Sequence, residues 1–110
     1  MDIMARITYN KLVRDNIPEI LKSKELEFET EIVDDFNTLN KFLKNKLLEE
    51  VTEYINNNTI EELCDVMEVI LKIMSHDCIE PIEILEKMIN KRQKRGGFEK
   101  NIVLKWVEKN

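Results

Sequence analysis

Residues 49–65 read EEVTEYINNNTIEELCD, and this stretch decides the fold. Asparagine favours turns and left-handed backbone conformations, so the run of three asparagines should end one helix and let the chain fold back. Two acidic pairs, Glu50-x-x-Glu53 and Glu62-x-x-Asp65, flank that turn. Each pair has i, i+3 spacing, which places both carboxylates on one side of a helix. Because the pairs lie symmetrically about the turn, Glu53 should face Glu62 and Glu50 should face Asp65.

Helical periodicity extends outward on both sides of this turn. Apolar residues recur with the period of a helix and predict one helix from about 37 to 55 and another from about 60 to 75. Two aspartates precede the first helix and Thr59 precedes the second, and these are expected N-caps. Glu62, three residues after Thr59, is a capping-box candidate. Glu62 also lies in the middle of the second helix's apolar face, where an acid needs a cation, a proton or a position at the edge of the core.

The flanking segments predict shorter elements. Pro18 suits the first turn of a short N-terminal helix. A further helix from about 81 to 94 should stop at Gly96 and Gly97. Residues 26–33 mostly alternate apolar and polar side chains, and residues 102–107 are also strand-like, so the two should pair as a small two-stranded sheet. The expected fold is therefore mainly α, with an antiparallel helix pair and this small sheet.

The composition indicates a single soluble domain over residues 1–110. Hydrophobic residues make up 43% and charged residues 35%, with a net charge of −5. This balance argues against a nucleic-acid binder, which would need a dominant basic face. No apolar run approaches the roughly 20 residues of a membrane span, and no signal peptide is visible at the start. Cys64 and Cys78 lack metal-site spacing and are expected to be reduced, partly buried thiols of a cytoplasmic protein.

The four acids of the two pairs are candidate metal ligands. Carboxylates facing one another repel strongly in a medium less polar than water, and a divalent cation removes that repulsion. Carboxylate oxygens suit Mg²⁺, Mn²⁺ or Ca²⁺. Zinc is not expected, since the chain has one His and no cysteine cluster. For any single acid, a solvated helix face is the alternative interpretation. For all four together, the symmetric spacing and the position of Glu62 favour a metal site.

Basic residues at two places could bind phosphate groups, because Arg grips phosphate oxygens in a bidentate manner and Lys supplies a point charge. Lys11 and Arg14 lie in the N-terminal segment. The second group comprises Lys91, Arg92, Lys94 and Arg95. For this second group, cations that complement the dipole at a helix C-terminus are an equally good explanation.

The chain resembles the MazG-like, all-α nucleoside triphosphate pyrophosphohydrolase superfamily. The carrying motif is Glu49-Glu50-x-x-Glu53 followed by Glu62-x-x-Asp65, which looks like the E-E-x-x-E … E-x-x-D signature. The opening YNKLVRDNIPEI at 9–20 and the RGGF at 95–98 resemble a subgroup often labelled phosphoribosyl-ATP pyrophosphohydrolase-like. The resemblance spans roughly residues 7–107.

The resemblance implies hydrolysis of an NTP or dNTP between the α- and β-phosphates, giving a nucleoside monophosphate and pyrophosphate. It implies Mg²⁺, with Mn²⁺ as a substitute, held by Glu50, Glu53, Glu62 and Asp65. Glu49 would be an outer carboxylate or help to position the attacking water. Phosphate binding would fall to four basic residues, Lys11, Arg14, Lys91 and Arg95. The resemblance also implies a homodimer or homotetramer and a role in removing non-standard or surplus nucleotides.

One departure from the superfamily pattern concerns the turn. Only eight residues separate Glu53 from Glu62, fewer than is usual, so a substrate-covering loop is not expected here and the resemblance names no nucleobase. Three alternatives to the general NTP hydrolase stay open. One is hydrolysis of phosphoribosyl-ATP in histidine biosynthesis, and another is a non-catalytic helical module that binds nucleotides or a protein. A nucleic-acid-binding regulator is the least favoured, given the net charge.

Overall fold

A computed structural model describes residues 5–109. The prediction of a mainly α-helical chain is confirmed. Four helices occur in chain order: α1 Ile17–Ser23, α2 Phe36–Asn57, α3 Ile60–His76 and α4 Pro81–Arg95. The chain divides into two units, one ending at Cys78 and the other beginning at Ile79. A single domain over residues 1–110 stays a prediction.

The ends of α2 follow from local chemistry. Asp35 is its N-cap, and the carboxylate accepts hydrogen bonds from the Thr38 backbone N–H at 2.8 Å and from the Thr38 hydroxyl at 2.7 Å. These hydrogen bonds to the charged form lower the pKa of Asp35. At the other end, Asn58 adopts the left-handed conformation (φ 53°, ψ 46°) and donates its backbone N–H to the Tyr54 carbonyl. Asparagine tolerates this conformation better than most residues, so the helix stops there.

Thr59 begins α3 as the sequence predicts. Its hydroxyl accepts a hydrogen bond from the Glu62 backbone N–H at 3.2 Å, which satisfies one of the free donors in the first helical turn. The expected capping box does not form, because the Glu62 side chain is turned instead toward Asn57. Glu62 is therefore free to contribute to the acidic cluster described below.

Replacing Thr59 with Ala should lower the free energy of unfolding by about 1 kcal/mol, since the Glu62 N–H loses its acceptor. Urea denaturation followed by circular dichroism would measure the change. Thr59→Ser keeps a hydroxyl at the same position and should recover most of the loss. Equal losses for Ala and Ser would contradict the capping role.

The helices α2 and α3 pack against each other and form the centre of the first unit. Their connection is only Asn58 and Thr59, so α3 runs back along α2. Leu43, 1% exposed, is the one fully buried side chain among residues 5–109. Apolar side chains of α3 are more exposed, including Leu63 at 43% and Met67 at 59%.

The predicted two-stranded sheet is wrong for the part of the chain that the structure describes, because residues 26–33 and 102–107 form no strand. Most side chains of the two segments are exposed, with Ile32 at 92% and Trp106 at 74%. Strand propensity reflects packing on a half-buried pleated surface, and such a surface is missing around these residues. Alternation alone therefore did not decide the conformation.

The second unit contains α4. Pro81 occupies the first turn, where its missing N–H costs little. Glu80 and Glu83 form a reciprocal capping box at this end. Gly96 follows the last turn with φ 84°, a conformation that favours glycine, and this confirms the predicted stop.

Two further sequence expectations can be compared with the structure. Among residues 5–109, none of the helices has the length and apolar character needed to cross a membrane. Cys64 and Cys78 are both exposed, so the expectation of partly buried thiols is wrong.

Candidate metal centre

Three carboxylates meet where α2 and α3 face each other. Glu50 comes from α2, and Glu62 and Asp65 come from α3. One carboxylate oxygen of each lies within 4.8 Å of the other two. The turn therefore brings Glu50 to Asp65, the pairing expected from the symmetric spacing. At such separations two unit charges repel by about 3–4 kcal/mol at an effective dielectric constant of about 20. The protein tolerates this repulsion only if something compensates it.

Two buried oxygen atoms of this triad have no hydrogen-bond partner among the described residues. Glu50 is only 7% exposed, and its Oε2 is buried and unpartnered. Glu62 Oε2 is likewise buried and unpartnered. Buried polar atoms in folded proteins are nearly always satisfied, so an exception needs an explanation. Two unpartnered carboxylate oxygens beside a third carboxylate provide the hard oxygen donors that Mg²⁺, Mn²⁺ or Ca²⁺ requires, and the residues present fit such an ion.

Lys46 supplies part of the compensation. Its ammonium lies 3.1 Å from Glu50 Oε1 and 3.1 Å from Glu49 Oε2, and the side chain is only 15% exposed. Because Lys46 engages Oε1 of Glu50, the other oxygen of that carboxylate stays available to a cation. Lys46 was not among the site residues predicted from the sequence. The signal was present in its i, i+3 and i, i+4 spacing to the two glutamates.

Glu49 is held by two ammonium groups. Lys11 Nζ lies 2.7 Å from Oε1, while Lys46 engages Oε2. Burial opposes ionisation of Glu49, but the hydrogen bonds from Lys11 and Lys46 outweigh it, so its pKa is below the ordinary value. The hydrogen bond between Lys11 and Glu49 also raises the pKa of Lys11. A carboxylate with both oxygens occupied and a low pKa is a poor proton acceptor. Glu49 is better suited to anchoring the two lysines.

Arg14 reaches Asp65 from the N-terminal segment. Its guanidinium Nη2 donates to Asp65 Oδ1 at 2.7 Å, which links this segment directly to a member of the triad. The hydrogen bond to Asp65 and the charge of that carboxylate raise the pKa of Arg14. Lys11 and Arg14, predicted to bind phosphate, are thus both brought to the acidic cluster.

Asn57, the last residue of α2, holds Glu62. Its side-chain amide donates to Glu62 Oε1 at 3.2 Å. The other oxygen of Glu62 is the unpartnered one. The sequence analysis treated Asn57 only as part of the turn, and no spacing rule pointed to its contact across the helix connection. The structure shows that the turn also orients a candidate ligand.

Glu53, the fourth predicted ligand, lies beside the triad rather than in it. Its carboxylate is not among the three that meet within 4.8 Å. Partial burial raises the pKa of Glu53, the negative charges of Glu50 and Glu62 raise it further, and the Glu62 carboxylate is close enough to share its proton, as expected if the two residues face each other. The negative charge of the acidic cluster therefore disfavours ionisation of Glu53. It is the carboxyl group whose neighbours most clearly favour the protonated form.

Glu53→Gln should raise the free energy of unfolding of the metal-free protein at pH 7, because it removes a charge that the cluster disfavours. A folded-state pKa above the unfolded-state value means that the folded protein binds the proton more tightly. The contribution of protonated Glu53 to the free energy of unfolding is then fully present at low pH, and it is lost as the pH rises through the raised pKa of Glu53. Urea denaturation in EDTA at pH 7 and pH 4 would measure the difference.

The benefit of Glu53→Gln should accordingly shrink toward pH 4. Glu61→Gln is the control, since Glu61 is an exposed acid in the first turn of α3. It should show no gain, because acids there are favoured by the helix dipole. A gain for Glu53→Gln that persists at pH 4 would point to packing and contradict the charge explanation.

The second basic group lies on the other unit. Lys91 and Arg95 are exposed residues of the last turns of α4. Cations at this end of a helix complement its dipole. A phosphate-binding role for Lys91 and Arg95 stays a prediction.

Comparison of the chain with protein-family models, with curated proteins and with solved structures finds no match.

Proposed function

We propose that the chain is a Mg²⁺-dependent nucleotide pyrophosphohydrolase with a MazG-like fold, converting an NTP or dNTP to a nucleoside monophosphate and pyrophosphate. One observation carries the proposal. The acidic triad has buried, unpartnered oxygens on Glu50 and Glu62, and Lys11 and Arg14 contact acids of the same cluster. A cation site and anion-binding side chains at one place suit a substrate that is a metal–polyphosphate complex.

Glu50, Glu62 and Asp65 would hold the ion, and Glu53 is the adjacent fourth carboxylate. Mg²⁺ or Mn²⁺ bound there would neutralise the polyphosphate and make a water molecule a better nucleophile. The side chains of the protein place the ion by holding its ligands. Lys46 fixes Glu50 through Oε1, and Asn57 fixes Glu62 through Oε1. Ligands fixed in this way lose little freedom when they bind.

Other side chains of the cluster would bind the substrate and accept the proton of the attacking water. Lys11 and Arg14 would bind phosphate oxygens and stabilise charge that develops on them. A water oxygen would form a bond to the α-phosphorus, the bond from that phosphorus to the bridging oxygen would break, and pyrophosphate would leave. The proton of the water needs an acceptor. Glu49 is poorly placed for this role, because Lys11 and Lys46 engage both of its oxygens, so Glu53 is the proposed acceptor.

A substrate panel tests the proposal. The purified protein would be incubated with Mg²⁺ and each common NTP and dNTP, and the products scored as nucleoside monophosphate and pyrophosphate. We expect equal amounts of the two products, and no turnover in EDTA. Phosphoribosyl-ATP belongs in the same panel. A strong preference for it would assign the narrower activity in histidine biosynthesis.

Two outcomes would count against the hydrolase. Release of inorganic phosphate and a nucleoside diphosphate would place the cleavage at a different bond. Calorimetric binding of a Mg²⁺–triphosphate complex with no turnover of any panel member would instead indicate a non-catalytic nucleotide-binding module.

We further propose that the active form is a homodimer or homotetramer, as the resemblance implies. Exposed apolar side chains on both helices of the pair support this, among them Leu48 at 68% and Met67 at 59%. Association of copies would remove such side chains from water. Light scattering on the purified protein would measure its molar mass against the 13.1 kDa of one chain.

A further inference from the structure

The guanidinium of Arg14 contacts Asp65, a carboxylate that the proposed divalent ion would also bind. Asp65 belongs to the triad that would hold a divalent ion, and Arg14 donates to its Oδ1 at 2.7 Å. A guanidinium at hydrogen-bonding distance from a ligand carboxylate repels a divalent cation on the same carboxylate. Arg14 and the ion are therefore competitors for Asp65.

The acidic cluster carries more negative than positive charge, so it should repel anions until a divalent ion binds. Five carboxylates lie together: Glu49, Glu50, Glu53, Glu62 and Asp65. Within residues 5–109, three cations contact these carboxylates: Lys11, Arg14 and Lys46. Each of these cations already has a carboxylate partner. A polyphosphate approaching this state meets excess negative charge and no free cation of the three.

Arg14 has both the freedom and the space to change partners. Its side chain is 60% exposed, and it borders an open depression of about 440 Å³ lined by Asp15, Asn16 and residues of α1. Lys46 is different, since it is only 15% exposed and is shared by two glutamates. Of the two, Arg14 is the cation that can leave its carboxylate at lower cost.

We infer that Arg14 couples the two ligands of the site: a divalent ion displaces it from Asp65, and the released guanidinium then binds the polyphosphate. This inference rests on the proposed metal centre. Arg14 weakens ion binding when no polyphosphate is present and strengthens it when one is present. Thermodynamic linkage requires the ion to increase polyphosphate affinity by the same factor. Arg14 thus selects the metal–polyphosphate complex over the free anion.

Titration calorimetry with Mn²⁺ tests the coupling in wild-type protein and in Arg14→Gln, with and without an α,β-methylene nucleoside triphosphate. Without the triphosphate, Arg14→Gln should bind Mn²⁺ about three- to tenfold more tightly than wild type. The triphosphate should tighten Mn²⁺ binding about tenfold or more in wild type and far less in the variant, within the usual range of coupling between two sites. Lys22→Gln removes an equal charge from the exposed surface of α1 and should behave as wild type.

Hydrogen exchange of wild-type protein gives a second measurement that does not depend on a variant folding. Amides of residues 9–16 should exchange faster with Mn²⁺ alone and slow again when the triphosphate is added. The inference would be overturned if folded Arg14→Gln bound Mn²⁺ no more tightly than wild type. It would also be overturned if the exchange rates of residues 9–16 did not change when Mn²⁺ was added. Absence of Mn²⁺ binding in wild type would overturn the metal centre as well. Coupling without hydrolysis would overturn only the hydrolase proposal.

Discussion

Asp65→Asn should reduce Mg²⁺-dependent pyrophosphate release by at least about a hundredfold. Asp65 belongs to the only group of three such carboxylates found within residues 5–109, and an amide is a weaker, uncharged ligand. A divalent ion contributes several kcal/mol of charge stabilisation in the transition state, and about 1.4 kcal/mol corresponds to a factor of ten in rate. Steady-state kinetics with pyrophosphate detection over a range of Mg²⁺ concentrations would measure the loss.

The matched control for Asp65→Asn is Glu61→Gln, an exposed acid one turn earlier on α3. It removes the same charge and should keep activity within about twofold. Because Asp65→Asn also breaks the pair with Arg14, Glu62→Gln should be measured beside it. This change leaves the pair intact and should cause a comparable loss. Near-normal turnover in both Asp65→Asn and Glu62→Gln would remove the metal centre from the mechanism.

Leu43→Ala should lower the free energy of unfolding by about 2–5 kcal/mol. Leu43 is 1% exposed and lies in α2. Truncating a buried leucine loses its transfer free energy and leaves a cavity that the neighbours fill only in part. With a total stability of about 5–15 kcal/mol for an ordinary domain, this is a large share. Urea denaturation of the metal-free protein would measure it.

Leu48→Ala provides the comparison for Leu43→Ala, because Leu48 lies on the same helix and is 68% exposed. Its loss should be within about 0.5 kcal/mol, as is usual for surface positions. Similar losses at the two positions would mean that Leu48 is also buried in solution, as it would be in an assembly of copies. Repeating both measurements at several protein concentrations would separate that case.

The helix pair could be predicted because its determinants are local. The asparagine run, the hydroxyl of Thr59 and the 3.6-residue apolar period each act within a few residues, and the observed bounds differ from the predicted ones by only one or two residues. The facing of Glu50 and Asp65 then followed from the position of the turn alone. Rules of this kind need no knowledge of distant parts of the chain.

The strands expected at residues 26–33 and 102–107 do not form, and the sequence alone could not show this, because strand formation depends on a partner that the sequence does not name. Residues 26–33 and 102–107 have the composition of strands, yet nothing local forces them to pair. The same limit applied to charge partners. Arg14 was predicted as a phosphate ligand from its chemistry, but its contact with Asp65 joins residues far apart in the chain. Lys46 could have been found by helical spacing, whereas Asn57 could not.

The two-residue connection between α2 and α3 has a consequence for how the protein folds. All three members of the triad lie within residues 50–65, so a single short loop has to close to bring them together. Closing a short loop costs little chain entropy, and contacts between residues close in sequence form early. We therefore expect the acidic triad to assemble together with the hairpin of α2 and α3. The ion pair between Arg14 and Asp65 joins residues farther apart in the chain and should form later.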